Sequence, residues 1–492
     1  MYNDGNDLIG TKYNPPGFDS TRIASRVAKA YHKLMPYPNF SPMTKDWKTE
    51  ERGPLPRCMA LPRNLVKDGA KWLFGKPITF RCPDAKSMND TINETWTNNN
   101  MNARSKAMAV IGALSGGVAL KWSYDEDDGG AKIHVIDPAE YTRFYWDPDD
   151  ILKLLMVRVQ YPRYDATTGK TSWIREDWTD EYEQQYEPLE SKMPGGFDGA
   201  LSLADMIDAS DQWKKKAKKP NQFGVIPFWY IKNIETGAEI GEGDLWSVYH
   251  LIDLVNFNRD LELKNNQKAL DPDSYLIDLT APTGDAPGSG SPMREIPLES
   301  KNGTEGPQGK VQMVQPDPAL RPHLRQYIED IKTEILNSVG GVDIDEEKVT
   351  NKGALTSAVM SQLYAPLISA TDEKRTTYGE DGLCVFFERM SGGLATCGAK
   401  DWQEVEDVQI HWSPYFSPTP EEQIENAQYQ TALLGANLTT HERAVRAIAS
   451  EDGVIDVDKL VQAVTAEKAE ADAKKEERFQ MQNAPEPEAT TD

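Results

Sequence analysis

A long uninterrupted segment near the middle of the chain constrains the fold more than any other feature. Residues 244–271, DLWSVYHLIDLVNFNRDLELKNNQKALD, run for 28 residues without proline or glycine. As one helix they form a rod of about 42 Å, longer than an average domain needs. The first half carries Leu245, Val248 and Ile252 for a core, whereas residues 256–268 are polar nearly all round. So polar a helix needs neighbours on its sides.

A second helix is predicted to run back along the first. Apolar residues at steps of four, three and four predict a helix over residues 322–338, which ends at Gly340 and Gly341. Residues 273–318, between the two helices, are rich in proline and glycine and contain the strand-like segments YLIDLT and KVQMV. Two helices alone cannot cover each other's sides. The pair is therefore either a hairpin inside a monomer or one column of a ring around a wet lumen.

The flanking regions mix helices and strands, which predicts an α+β protein. Helices are predicted over 20–36, 64–75, 86–114 (as two helices), 354–390 (broken or kinked at Pro366), and throughout the chain from Pro418. Period-two patterns predict strands at 76–80, 224–233 and 408–412, and a meandering antiparallel sheet over 118–183. The acidic tail APEPEATTD has little to bury, and we expect it to be disordered.

Charge limits the partners of the surface as a whole. The 492 residues carry a formal net charge of −24, which disfavours binding of the entire surface to nucleic acid or anionic membrane. The run KKKAKK at Lys214–Lys219 is a local exception. It is either a phosphate-binding patch or a solvated loop that balances nearby acids, and the absence of interleaved aromatic residues favours the loop.

Cysteine usage and the first residues favour an unsecreted, soluble protein. The four cysteines form no CxxC pair, which argues against a zinc site and a disulfide framework. The first residues lack a signal-peptide pattern. The longest weakly polar run, 107–120, is too short to span a bilayer, so no membrane partner is expected.

Motifs for catalysis are missing from the sequence. There is no GxxxxGK[ST], GxSxG or HExxH, and the six histidines are scattered, so we predict no enzymatic activity, no cofactor and no metal. Two acidic clusters lack metal-loop spacing and are interpreted as an acidic loop and a turn; they are Asp343, Asp345, Glu346 and Glu347, and Asp147, Asp149 and Asp150.

The order of these segments resembles the portal proteins of tailed bacteriophages. The resemblance is carried by WLFGKPITF at 72–80, HVIDPAEYTRFYWD at 134–147, IPFWYIKN at 226–233, GDLWSVYHLIDLVN at 243–256, NKGALTSAVMSQLYAPL at 351–367 and SPTPEEQIENAQYQTALLGANLT at 417–439. It covers roughly residues 20–465. The KKKAKK run, and the absence of a clear SG before Ala354, depart from the family pattern.

The resemblance implies a portal-like fold with a wing of helices and antiparallel sheet, long antiparallel stem helices, a small α/β clip and an all-α crown. The implied segments are a wing (1–242), stem helix (243–271), clip (272–318), second stem helix (319–338), tunnel loop (339–352), kinked helix and remaining wing (353–417), crown (418–470) and a polar, largely disordered tail (471–492).

The resemblance also implies a function without hydrolysis. Portal proteins form a ring at one capsid vertex, through which double-stranded DNA is packaged and ejected, and the resemblance implies a dodecamer here. Implied partners are further copies of the chain, the DNA, the large terminase, a head-completion or adaptor protein, and the major capsid and scaffolding proteins. The implied location is the virion, after assembly in the host cytoplasm.

The implied architecture also assigns roles to individual residues. Candidates for the channel lining are Lys264, Lys268, Lys332, Asp343, Asp345, Glu346, Glu347, Lys348, Val349 and Lys352. The acidic residues would repel phosphate and sparse lysines would guide it. Pro366 marks the helix kink, and Tyr275, Ile277 and Met313 are candidates for contacts between subunits in the clip.

Two alternatives stay open at the level of sequence. One is another phage ring component, such as an adaptor. The other is a cytoplasmic hydrolase whose carboxylates, Asp137, Glu140 and Asp147, meet in the sheet.

Overall fold

The computed structural model describes residues 59–125, 130–165, 167, 170–190, 213–237, 240–270, 273–277, 294–296, 310–314, 320–342, 357–416, 419–436, 438–451 and 457–482, together with Ser25, Ala28, Lys29 and His32. These last four residues are helical, as expected within the predicted helix 20–36.

The N-terminal half is built from helices and antiparallel strands. Its helices are α1 (Leu61–Phe74), α2 (Lys86–Asn98), α3 (Met101–Ser115) and the short α4 (Pro138–Tyr141). Its strands are β1 (Ile78–Arg81), β2 (Gly117–Asp125), β3 (Gly130–Ile136), β4 (Thr142–Asp147), β5 (Asp150–Asp165), β6 (Lys170–Trp178), β7 (Tyr182–Gln185), β8 (Leu189–Glu190), β9 (Lys219–Pro220) and β10 (Phe228–Lys232).

The C-terminal half begins with the long helix and is mainly helical. Its helices are α5 (Tyr249–Leu270), α6 (Leu320–Ser338), α7 (Ser357–Leu363), α8 (Ala365–Arg375), a π-helix (Thr376–Cys384), α9 (Val385–Thr396), α10 (Pro420–Gly435), α11 (His441–Glu451) and α12 (Val457–Gln482). Its strands are β11 (Asp273–Ile277), β12 (Arg294–Ile296), β13 (Lys310–Val314) and β14 (Gln409–Trp412).

The predicted single meander is two sheets instead. Strands β10, β2 and β3 form one antiparallel sheet, and β4, β5, β6, β7 and β9 follow one another in a second, with β8 beside β6. The division falls at α4, where the Asp137 side chain accepts a hydrogen bond from the Ala139 amide and starts a helical turn. The two sheets share a cluster that includes Val157 and Trp178 from one and Phe228 from the other.

The main core joins distant parts of the chain. The rings of Phe80 on β1, Trp96 on α2 and Phe387 on α9 contact one another, with centroids of Phe80 and Phe387 4.7 Å apart. Strand β14 pairs with β1 in register Ile78 to Trp412, as the prediction of a returning strand requires. This core therefore fastens α9 and β14 to the N-terminal half.

Three helix predictions need correction. Helix α5 begins at Tyr249 and not at Asp244, because residues 244–248 form turns in which Trp246 N donates to Gly243 O and Val248 N to Leu245 O. The helical stretch predicted over 354–390, broken or kinked at Pro366, is interrupted at Tyr364 just before that proline, but its later part also contains a π-helix that was not predicted. Helix α12 extends to Gln482, so residues 471–482 are helical rather than part of a disordered tail.

The C-terminal region is helical from Pro420, as predicted. Thr419 and Glu422 form a capping box at the start of α10, in which each side chain accepts from the other residue's backbone amide. Within the described residues, no helix combines the length and apolar character that crossing a membrane requires.

Candidate channel elements and their anchorage

Helices α5 and α6 form an antiparallel pair. Their inner parts share one core, in which Ile252 and Val255 lie with Ile331 and Ile335. Towards the outer end, Arg325 Nε lies 2.7 Å from Glu262 Oε1. The 22 residues of α5 make a rod of about 33 Å.

The second half of α5 is less polar on its surface than the sequence indicated. Asn256 and Asn258 are buried, and Asn256 Oδ1 accepts a hydrogen bond from the Met59 amide. By contrast, Leu261 and Leu263 on α5 and Tyr327 on α6 are 36%, 51% and 47% exposed. The pair therefore buries amides towards the rest of the chain and presents apolar side chains outwards.

Most of the predicted channel residues cannot be placed. Lys264 and Lys268 lie on α5, but their side chains are outside the described residues. Seven further candidates lie entirely outside the described residues; they are Asp343, Asp345, Glu346, Glu347, Lys348, Val349 and Lys352. Lys332 is described on α6, and its ammonium group forms an ion pair with Glu329 one turn earlier. Its charge is thus partly neutralised within its own helix.

The end of α6 has the geometry of a Schellman motif. Gly340 adopts a φ of +67°, and the Gly341 amide donates to Leu336 O at 2.8 Å. A Cβ on Gly340 would lie 2.9 Å from the Ala370 Cβ, so glycine permits close approach of the chain to α8. The predicted stop at these glycines is confirmed.

Pro366 is the second residue of α8, directly after a break at Tyr364. Tyr364 has φ −97° and ψ 10° and ends the helical path of α7. The hydrogen bond from Ile368 N to Tyr364 O, at 2.9 Å, carries the chain into the new helix. The Tyr364 ring also packs 5.0 Å from Trp72 of α1. The structure therefore places the interruption just before the proline.

A buried polar network fastens the start of the long helix to α8. Asp244 Oδ2 accepts from Lys374 Nζ at 2.6 Å, and Asp244 Oδ1 accepts from Asn233 Nδ2 at 2.7 Å. Asn233 Oδ1 in turn accepts from the Tyr378 hydroxyl at 3.0 Å. Burial raises the pKa of Tyr378 well above its ordinary value, so the phenol stays a donor. No spacing signal in a single sequence connects Asp244 with Lys374.

A cationic, aromatic cleft of about 310 Å³ lies where β14 leads towards α10. Lys76 Nζ donates to Pro414 O at 2.6 Å, and an Arg375 amino group donates to Ser413 O at 3.1 Å. The Arg375 guanidinium lies 3.8 Å from the centre of the Tyr415 ring. Burial lowers the pKa of Arg375, and burial and the Arg375 charge lower that of Lys76. These contacts hold residues 413–415 against α1 and α8.

The clip candidates lie on two neighbouring strands. Strand β11 pairs with β13 antiparallel and with β12 parallel, and Tyr275 stands opposite Gln312 and Arg294. Ile277 is opposite Lys310, and Met313 is opposite Ser274. The described parts of the strand-like segments, within β11 and β13, are thus strands, and β12 is an addition that the sequence did not predict.

The carboxylates of the hydrolase alternative have other roles. Asp137 caps α4 and pairs with Lys29 at 2.5 Å, and Asp147 accepts from the Asp149 amide in the turn before β5. The turn interpretation of this acidic cluster is confirmed. Glu140 lies on α4, but its side chain is outside the described residues. Among the described residues, no three histidine, cysteine or acidic side chains are grouped as a metal site needs.

Comparison with known proteins gives one match over most of the chain. The family described as "Phage portal protein, SPP1 Gp6-like" matches residues 58–440. No curated protein matches.

Similar solved structures include a chain in the neck of an empty GTA particle computed with C6 symmetry. That chain is 11% identical with a TM-score of 0.38, over 80% of this protein and 90% of that chain. A chain in the neck of a native GTA particle, computed with C12 symmetry, is 13% identical with a TM-score of 0.36, over 79% and 89%. A chain in the virion of a native gene transfer agent particle is 14% identical with a TM-score of 0.35, over 87% and 98%.

The likeness to these three structures is too weak to add to the argument, and the family assignment rests on the sequence match. That match spans well over half of the chain and contains the helix pair, its anchoring network and the fourteen strands found among the described residues. The protein therefore belongs to the SPP1 Gp6-like family of phage portal proteins.

Proposed function

We propose that this protein is a portal subunit that forms a ring-shaped channel at one capsid vertex for packaging and ejecting double-stranded DNA. Family membership supports the portal role, and the helix pair α5–α6 supports the ring. Its inner end is fixed in a core, while Leu261, Leu263 and Tyr327 stay exposed along its outer part. Half-exposed side chains of this size each gain about 1 kcal/mol when a neighbouring subunit covers them.

On this proposal the ring is a dodecamer in which neighbouring pairs cover one another and surround the DNA. Lys264, Lys268, Lys332, Lys348 and Lys352 then guide phosphate, and Asp343, Asp345, Glu346 and Glu347 repel it, with Val349 as an apolar contact. Because Lys332 is paired with Glu329, we expect it to contribute less than the others. The chain hydrolyses nothing itself.

The clip would carry the contacts with other proteins. Strands β11–β13, with Tyr275, Ile277 and Met313, would join neighbouring subunits and expose a rim for the large terminase and later for a head-completion protein. The wing would face the major capsid and scaffolding proteins during assembly in the host cytoplasm, and the finished ring would remain in the virion. A non-portal ring component is the second candidate, but the family match favours the portal.

The first test is the native mass of the purified full-length protein, with negative-stain images of the same sample. Twelve chains of 55.1 kDa make about 660 kDa. Rings with a central hole near that mass support the proposal. Discrete monomers or dimers that form no rings, even with scaffold and coat proteins present, would contradict it.

A pair of variants tests the helix pair specifically. Tyr327→Asp on α6 places a charge on the proposed interface, whereas Tyr164→Asp changes an equally large exposed tyrosine on β5. We expect Tyr327→Asp to reduce ring formation at least tenfold while the thermal unfolding of the unassembled chain is unchanged. Tyr164→Asp should assemble like the unaltered protein. Equal assembly of both variants would show that the outer part of the pair is not an interface.

A further inference from the structure

The run of lysines at residues 214–219, here called the lysine strand, is a surface that the proposed channel does not use. Five of its six residues are lysines, and all six are exposed. They stand in a chain whose formal net charge is −24. Such a concentration of positive charge on an acidic protein needs an explanation of its own.

The sequence favoured a solvated loop here, but the structure pairs the lysine strand with a neighbouring strand. The Glu187 amide donates to Lys214 O and the Lys216 amide donates to Gln185 O, both at 2.9 Å. Tyr186 bridges with Lys215, and β9 continues the pairing alongside β7. The segment therefore forms the outer edge of the six-stranded sheet, and its backbone is held in place.

Aromatic side chains flank the lysine strand, although none is interleaved with its lysines in the sequence. Lys218 Nζ lies 3.6 Å from the centre of the Tyr182 ring. Trp213, just before the lysine strand, packs edge to face with Tyr186 at 5.9 Å, and the Arg175 guanidinium lies 5.5 Å from the Trp213 ring. Aromatic rings therefore flank both ends of the strand, whereas Arg175 is buried beside Asp177 and adds no exposed cation.

Two other cations of the same sheet pair with carboxylates. Arg158 Nε pairs with Asp177 at 2.7 Å, and Lys153 pairs with Asp147 at 3.5 Å. Within the part of the chain that the structure describes, none of the five lysine ammonium groups forms an ion pair. A single lysine would suffice to protect a sheet edge from unwanted pairing. Five adjacent lysines repel one another, which favours the approach of a polyanion.

We propose that the lysine strand binds the phosphate backbone of double-stranded DNA on the outside of the protein, independently of any channel. At the rise of a strand, six residues span about 16 Å between the first and last Cα atoms, and side chains alternate between two faces, so about three of the lysines face one duplex. Duplex DNA presents one charge per about 1.7 Å of its axis, so roughly nine phosphates fall within this length. The binding is sequence-independent, because lysine ammonium groups contact phosphate without reading bases.

The test uses covalently closed circular duplex DNA, because a closed circle cannot thread through a closed ring. Binding to the full-length protein is measured by gel shift from about 25 to 200 mM salt. Changing the five lysines to glutamine should weaken binding at least tenfold at the lowest salt concentration. The slope of log affinity against log salt should become shallower by about 0.9 for each lysine that contacts phosphate.

Three further variants separate charge from structure. Changing the same lysines to arginine should retain binding. Changing them to glutamate should abolish it, yet keep the edge charged and the protein free of aggregates in light scattering. The matched control changes five exposed lysines elsewhere to glutamine and should bind within twofold of the unaltered protein; they are Lys67, Lys86, Lys106, Lys400 and Lys468.

The proposal is wrong if the unaltered protein leaves the circle unbound at the lowest salt, or if the glutamine variant of the strand keeps its affinity and salt slope. It is equally wrong if polyglutamate binds at least as tightly as DNA, since the partner is then an acidic protein surface. Unassembled chains can be assayed in the same way. Failure to form rings would therefore contradict the proposed function and leave this result standing.

Discussion

Gly112 on α3 is the position where one added methyl group should disturb the anchoring network most. A Cβ there would lie 1.7 Å from the Tyr378 hydroxyl oxygen, 3.0 Å from its Cζ and 3.5 Å from Asn233 Oδ1. Tyr378 is fully buried and donates to Asn233, so its ring has no free space to enter. Glycine is required here for close approach within a helix, and not for a left-handed backbone.

The magnitude of the Gly112→Ala effect follows from three contributions. Displacing the buried ring costs about 1–3 kcal/mol as overpacking. Separating the Tyr378 hydroxyl from Asn233 leaves buried polar groups unpaired at a cost of about 1–3 kcal/mol. Alanine returns about 1 kcal/mol through its higher helix propensity. We therefore expect the free energy of unfolding to fall by about 3 kcal/mol.

A second substitution tests the physical reason. Tyr378→Phe alone should cost about 1–2 kcal/mol, because Asn233 loses its donor. Combined with Gly112→Ala, it removes the oxygen that clashes with the new methyl group. The double variant should therefore lose at least about 1.5 kcal/mol less unfolding free energy than the two single losses added together. Urea unfolding followed by tryptophan fluorescence measures all three variants.

Gly435→Ala is the matched control. It adds the same methyl group at the last residue of α10, where no atom lies within 4 Å of the new Cβ. Its free energy of unfolding should differ from that of the unaltered protein by less than about 0.5 kcal/mol. A clash with Tyr378 is excluded if Gly112→Ala lowers the free energy of unfolding no more than Gly435→Ala does. It is also excluded if the losses from Gly112→Ala and Tyr378→Phe are additive.

Three further predictions follow from described contacts. Lys374→Met should cost about 2 kcal/mol in urea unfolding, because the part-buried Asp244 loses its cation while keeping the hydrogen bond from Asn233. Asp244→Asn in the same background should recover part of the loss; no recovery would exclude the ion pair as the cause. Thr419→Ala should lower stability by about 1 kcal/mol and reduce helical circular dichroism, through loss of the capping box with Glu422; an unchanged spectrum would contradict this. Burial raises the pKa of the Cys384 thiol to about 12, so at pH 8 iodoacetamide should leave it unmodified in peptide mass spectra until urea unfolds the protein; modification of the folded protein would refute the burial argument.

Periodicity in the sequence predicted elements that depend on their own residues. The apolar steps from Leu324 to Ile335 predict α6 because these side chains face one core. The predicted start of α5 at Asp244 was wrong for a tertiary reason. The Asp244 amide donates to Ala113 O and the Trp246 indole donates to Leu114 O, so α3 holds this segment in turns. Local helix propensity contains no information about such distant acceptors.

The sheets and the candidate site show the same limit. Strand β10 joins β2 from more than a hundred residues away, and with α4 this divides the expected meander in two. The candidate channel lysines followed from the order of the segments. The i,i+3 spacing of Glu329 and Lys332 permits an ion pair, and the structure shows that this pair forms and partly neutralises Lys332. The lysine strand was interpreted as a loop because its aromatic neighbours, Tyr182 and Tyr186, lie across a strand pairing.

Helix α8 is the common attachment point of both helices of the proposed stem. The end of α6 contacts it where Gly340 approaches Ala370, and the segment before α5 is tied to it through Asp244 and Lys374. The π-helix continues directly from α8 and brings Tyr378 to the same network. Any displacement of the stem must therefore move α8 or break a part-buried ion pair. Among the described residues, the helical path from α7 to α9 is interrupted at Tyr364, just before Pro366 and beside Trp72. A portal ring that changes the position of its stem should do so by altering the backbone angle at this break, because the buried contacts on either side resist change more strongly than one helical junction.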